Sequence, residues 1–307
     1  MGKTDNPSRQ GRIVDERSSG GVEITVPESY KGLEERMLGE LSARLSDKPK
    51  ASEMVNLLLA DKAVNASWDM ADYIAVGKLH YNDHGDTHAI ITASFSAQML
   101  DILASSGRMP DIVRDGFGDL DDAMLIVVSA ALLHDIGNQV HRLQHPLFSA
   151  VLASPILDRL LPKIYGDGET VAEIKGFILH AIFSHESGVR SLTDEASIVC
   201  IADGCDMFKG RGRLPFDMGN INIHTVSALS IDDISVSRGE KKPLRITVEM
   251  ENSAGVFQVE ELLAKKVESG TLRDAVEIVA VATPRDAQGD RRIVSRIAYE
   301  GGRFVPF

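Results

Sequence analysis

The stretch from Ala123 to Leu133 is apolar on every face apart from Ser129, and His134 and Asp135 follow it at once. A helix of that composition has no polar side to turn to water, so it belongs at the centre of a bundle. It is too short to span a bilayer and is bounded by Asp121-Asp122 before and His134-Asp135 after. Gly137 is placed to end it. Two polar side chains at the end of a buried helix are costly unless something satisfies them, and a metal ion would satisfy both.

The flanking sequence supplies the helices that could surround such a core. Leu33, Met37, Leu38, Leu41 and Leu45 recur at three-and-four spacing. Met54, Leu57, Leu58 and Val64 give a second face, and Trp68, Met70, Ile74 and Leu79 suggest a third short helix. His88 to Leu103 carries a broad apolar stripe, and helices are expected near 145–161, 169–186 and 193–208. Beyond about residue 215 the pattern changes. Ile223–Val236, Leu244–Met250, Val276–Ala282 and Ile293–Tyr299 read as strands, with an amphipathic Val256–Val267 closed by Ser269-Gly270. The expected fold class is α+β, an all-α helical bundle followed by a small C-terminal α/β domain. The expected boundaries are a disordered tail over 1–28, the bundle over 29–215 and the α/β domain over 216–307.

The net charge of −12 over 307 residues argues against coating nucleic acid or an anionic membrane by charge alone. A nucleotide substrate stays open, because metal ions invert the local field. The N-terminus lacks an apolar signal core, and Asn6 stands where a myristoylation motif wants Ser or Thr. Cys200 and Cys205 do not have zinc-knuckle spacing and read as buried free thiols, which fits a reducing cytoplasm. The sequence leaves the oligomeric state open, a homo-oligomer included.

Eight of the nine histidines lie between His80 and His185. Four of them form a series with two aspartates: His88, His134-Asp135, His145, His185 and Asp203. Imidazole and carboxylate are ligands of borderline metals, and six of them are enough for two ions.

On these residues the chain resembles the HD-domain superfamily of metal-dependent phosphohydrolases over roughly residues 80 to 208. The resemblance implies a helical bundle in which His88, His134, Asp135 and Asp203 hold one ion, while Asp135, His145 and His185 hold a second. Two ions roughly 3.5–4 Å apart can hold a hydroxide and stabilise in-line displacement at phosphorus. A nucleotide or other small phosphorylated substrate is expected, with manganese or iron favoured over magnesium by the histidine-rich set. The Gly-Tyr-Pro signature of the cyclic-di-GMP-hydrolysing branch is absent; Glu186-Ser187-Gly188-Val189 follows His185 instead. That spacing looks more like the HD enzymes that split dinucleoside polyphosphates, although the C-terminal unit lies outside their pattern. Two rival readings are an HD-type di-iron oxygenase and a regulatory module with a vestigial metal site.

Other residues carry alternatives. His84 matches by resemblance a histidine that protonates the leaving group, or else it orders the loop before the helix. His180 competes with His185 as a ligand. Arg142, Lys209, Arg211 and Arg213 are candidates for binding substrate phosphate, or else are solvated charges, the last three in an interdomain linker. Asp206, one turn after Asp203, is a candidate for supporting the ligands from behind.

Overall fold

The structure, a computed structural model, describes residues 28–208, 211, 223–282, 296–300 and 303–306. The sequence expectations for the N-terminal tail and for the 215/216 boundary therefore fall largely or wholly outside the described residues.

Helix α6 (Leu120–Leu133) is the axis of the fold, buried at every position from Asp122 to Leu133. Its start is fixed by a capping box, in which Asp119 accepts from the Asp122 amide and Asp122 accepts from the Asp119 amide. Asp121, beside it, accepts the Lys50 and Ala51 amides, so one acidic turn also starts α2 (Pro49–Ala60). At the other end the buried Trp68 indole donates to the Leu132 carbonyl, one of the acceptors a helix terminus leaves without a partner. Around α6 pack α2, α4 (Asp86–Ser105), α8 (Gly168–Phe183) and α9 (Asp194–Cys205). The outer helices are α1 (Glu28–Arg44), α3 (Lys62–Ala75), the short α5 (Asp111–Arg114) and α7 (His145–Leu160).

The chain then forms α10 (Ile223–Ala228) and a five-stranded sheet in the order β1 (Ile231–Arg238), β2 (Leu244–Met250), β3 (Val276–Ala282), β4 (Arg296–Glu300) and β5 (Arg303–Pro306). Only the β2–β3 pair is parallel, with Ile246 opposite Ile278. A parallel pair needs a crossover. Here it is a helical segment, α11, made of Val256–Gln258, a π-helical stretch Val259–Ala264 and Lys265–Glu268. This segment lies against α9, while β1 and β2 lie against α4. Gln98 donates to the Val236 carbonyl across the latter contact. A continuous set of buried apolar side chains runs from α6 into the sheet. The fold class is α+β.

Several boundaries differ from the sequence reading. Residues 223–228 are helical rather than strand, and β1 starts only at Ile231. Val64 belongs to α3, because Asp61 breaks the run and caps α3 through the Ala63 and Val64 amides. α8 stops at Phe183 and α9 at Cys205, both short of the expected ends. Gly137 does not end α6 in the left-handed conformation. It sits in a 3₁₀ turn (Ile136–Gln139) where a Cβ would fall 2.2 Å from the His145 carbonyl oxygen, so its lack of a side chain lets α7 approach. Cys200 and Cys205 are buried and free. Among the described residues no helix is long and apolar enough to cross a membrane.

Candidate metal centre

The six residues of the series meet at one end of the bundle because each stands where a helix begins or ends. His88 is in the first turn of α4 and His145 opens α7. His134 follows α6, His185 lies just past α8, and Asp203 is in the last turn of α9. Gln144 adopts a left-handed backbone (φ 62°) to turn the chain into α7. All four histidines and Asp135 are buried.

Three of the imidazoles are oriented by the same local device. His134 Nδ1 bonds the Ala131 carbonyl at 2.7 Å, His145 Nδ1 the Arg142 carbonyl at 3.0 Å, and His185 Nδ1 the Ile182 carbonyl at 2.7 Å, each three residues back. A carbonyl only accepts, so Nδ1 carries a hydrogen, and it is Nε2 that each ring turns to the cluster. His88 differs, with Nδ1 2.6 Å from the buried Asp206 carboxylate. Asp206 thus stands behind a candidate ligand, as its position after Asp203 suggested.

The Nε2 atoms converge. Those of His88 and His134 are 3.1 Å apart, and those of His145 and His185 are 3.0 Å apart. Between them Asp135 divides its two oxygens. Oδ2 lies 3.4 Å from both His88 and His134, while Oδ1 lies 3.1 Å from His145 and 3.8 Å from His185. Asp203 Oδ1 is 3.2 Å from His88 Nε2. Asn138, which the sequence reading did not single out, donates to Asp135 Oδ1 at 2.9 Å.

These distances test whether a metal fits. Donors about 2.1 Å from an ion, at right angles across it, stand about 3 Å from each other. For the His88–His134 pair a proton on His88 would also serve. Burial and Arg211 push His88 down, but hydrogen bonds to Asp135, Asp203 and Asp206 hold it well above the usual histidine range. His145 and His185 turn their Nε2 atoms toward each other. Both Nδ1 hydrogens point at carbonyls, and burial, with His134 and His145 beside it, pushes His185 well below its ordinary value. Two Nε2 atoms 3.0 Å apart, with Asp135 Oδ1 3.1 Å from one of them, form a donor set that a cation would satisfy. Arg142 Nη1 stands 3.1 Å from His145 Nε2 and 3.9 Å from Asp135 Oδ1 and partly meets that need. Three donor groups could hold an ion: His88, His134 and Asp135; His134, His185 and Asp203; and Asp135, His145 and His185. The residues fit divalent metal.

A cavity of about 270 Å³ opens onto this cluster. The bundle lines it with His84, Asp135, Arg142, His185 and Asp203, and the C-terminal unit adds Gln258, Leu262 and Lys266. His84 is buried with Nδ1 on the Asn82 carbonyl, so chemistry at this residue falls to Nε2. Burial pushes its proton affinity well down, and although Asp135 pulls it up, the nearby Arg142, Arg211 and His88 add to the fall. Arg142 also donates to Glu186 at 3.1 Å. Arg211 reaches the cavity but is pinned by the carbonyls of Asp83 and Asp206. Lys209 and Arg213 lie outside the described residues. His180 is turned away, its Nε2 accepting the Leu192 amide at 3.1 Å, and the exposed His141 accepts the Leu143 amide.

Lys266 was missed by the sequence reading. It sits in an amphipathic stretch whose lysines read as a solvated face. Its one sequence signal is indirect: a glycine, Gly204, directly after Asp203 in a helix that is otherwise buried.

Comparison with known proteins adds the following. The family model described as HD domain matches residues 85–207. The uncharacterized protein MJ1020 of Methanocaldococcus jannaschii is 42% identical over 223 residues, which span 73% of this chain and 86% of that protein. No solved structure matches the chain significantly.

Proposed function

The chain belongs to the HD-domain superfamily, and on that premise we propose that it is a metal-dependent phosphohydrolase cleaving a phosphate ester or anhydride of a nucleotide or other small phosphorylated molecule. One observation supports the two-ion form above the others: Asp135 aims one oxygen at His88 and His134 and the other at His145 and His185. His88, His134, Asp135 and Asp203 would hold one ion, and Asp135, His145 and His185 the second. The histidine-rich set suits manganese or iron better than magnesium. When bound, such ions supply Lewis acidity toward water and toward the phosphoryl oxygens.

The protein's own residues do the rest. Asp206 and the three backbone carbonyls fix the ring orientations before any ligand arrives. Asn138 holds the Asp135 carboxylate in the plane that serves both histidine groups. Arg142, at the mouth of the cluster, offers a guanidinium to the phosphate once it is drawn off His145. His84 is the proton source for the leaving oxygen. The ring is neutral in the free protein, and an anionic phosphate in the cavity shifts the balance back toward imidazolium. A cavity of about 270 Å³ is compatible with a small ester. The buried free cysteines support a reducing cytoplasm as its location.

Elemental analysis joined to a phosphate-ester screen, with and without air, tests this. More than one transition-metal equivalent per chain and metal-dependent, oxygen-indifferent phosphate release are expected. A stoichiometry of one, unchanged on reconstitution, would remove the two-ion form. Oxygen consumption without phosphate release would replace hydrolysis with oxidation.

A further inference from the structure

Lys266 lies outside the residues that match the HD-domain model, on α11 of the C-terminal unit, yet its ammonium is buried in the metal centre. Nζ donates to Asp203 Oδ2 at 2.7 Å and to the His185 carbonyl at 2.8 Å. An ammonium has three N–H donors. Two are used, and among the described residues the third has no acceptor, although the residue lines the cavity. The neighbouring Lys265 shows what an ordinary lysine does on this helix: it is exposed and pairs with Glu261 one turn back.

Two features of the backbone seat this side chain. A Cβ on Gly204 would fall 2.8 Å from Lys266 Cδ, so the aliphatic stem crosses α9 over a residue that has none. Glycine inside a helix is less favourable than alanine, and here it clears the path to Asp203. The turns just before Lys266, Val259–Ala264, are π-helical. A π segment shifts the residues after it around the helix axis, and such segments are frequent at functional sites.

Resting on the phosphohydrolase reading above, we propose that Lys266 is a phosphate-binding residue of this centre, whose third N–H meets an oxygen of a tetrahedral oxyanion held in the cavity beside Asp203. The C-terminal unit then completes the active site. Lys266 also holds Asp203 so that Oδ1 alone faces His88, but a residue with that duty alone would change metal content and leave oxyanion affinity per loaded site untouched.

The test is calorimetric titration of inorganic phosphate into the full-length protein loaded with manganese, with metal content measured on the same samples. Lys266→Met should keep the metal stoichiometry of the wild type and weaken phosphate by about 10- to 100-fold, the loss of one charge-assisted hydrogen bond. Phosphate affinity within twofold of wild type overturns the proposal, as does loss of metal in step with phosphate. If Lys266→Met does not fold, Gly204→Ala is read instead. It displaces the ammonium without removing it; weakened phosphate at full metal content supports the proposal, and affinity within twofold overturns it. The readout does not pass through turnover. If the wild type hydrolyses no ester, the proposed reaction falls, while Lys266-dependent phosphate affinity still supports this assignment.

Discussion

In the bundle, every candidate donor sits at a helix end, and His134, His145 and His185 are aimed by carbonyls three residues back. In the C-terminal unit, Lys266 reaches the same cavity from the last turn of α11, after a π-helical stretch and over a glycine on another helix. The first kind of site is assembled from local instructions. The second depends on two regions docking in register, so it can be lost while the three carbonyl-bonded imidazoles stay as they are. Contact between the regions is held by the continuous apolar core and by a polar clamp. In that clamp Arg108 bonds both Asp194 at the start of α9 and the Thr271 carbonyl, while the Thr271 hydroxyl bonds Asp194.

The largest effect is expected from Asp135→Ala. If the bundle alone creates the centre, this change should take turnover below detection and weaken both ions, whatever the C-terminal unit does. Retention of one full metal equivalent at wild-type affinity would show that the two histidine groups do not share Asp135.

A smaller effect separates proton supply from metal binding within the bundle. His84→Ala should keep both ions and lower turnover by about 10²–10⁴, the range for a positioned proton donor. The loss should shrink on nitrophenyl esters, whose leaving group needs no proton. An equal loss on activated and unactivated esters rejects the acid role, and lost metal makes His84 a ligand.

The smallest effect probes the seam. Burial raises Asp194, but the Arg108 and Thr271 hydrogen bonds outweigh it and hold the carboxyl below its ordinary value of 3.8. A carboxylate depressed in the folded state contributes stability that is present above its unfolded value and lost as pH falls through the folded one. Wild type should therefore lose stability below about pH 4 more steeply than Asp194→Asn. Urea midpoints measured between pH 5 and pH 3 check this, and parallel curves would mean the clamp contributes nothing.

The six-residue series could be read from the sequence because polar residues stood at the end of a segment with nowhere polar to go, and because their order along the chain was intact. The choice of His185 over His180 came with the family resemblance, and the structure commits His180 Nε2 to the Leu192 amide. The strands β2 and β3 were visible as branched apolar runs. Residues 223–228 were misread because Ile223 and Val226 suit a strand as well as a helix, and a six-residue segment has too little period to decide. Lys266 was invisible for a different reason: what makes it a site residue is Gly204, some sixty positions away. Arg211 is a phosphate candidate in the sequence because glycines flank it, with a solvated linker as the alternative; in the structure it lines the cavity and gives three of its five N–H donors to the Asp83 and Asp206 carbonyls.

The three imidazoles bonded to carbonyls three residues back have a thermodynamic consequence. Their ring orientations are chosen when the helices form, so an arriving ion meets Nε2 atoms already turned toward it. An unfolded chain has no such arrangement. Metal affinity and folding free energy are therefore coupled, and each added ion raises the melting temperature in proportion to the logarithm of its concentration over its dissociation constant. On the proposed reading a chelator should act as a mild denaturant, and a thermal melt should serve as a metal assay before any substrate is known.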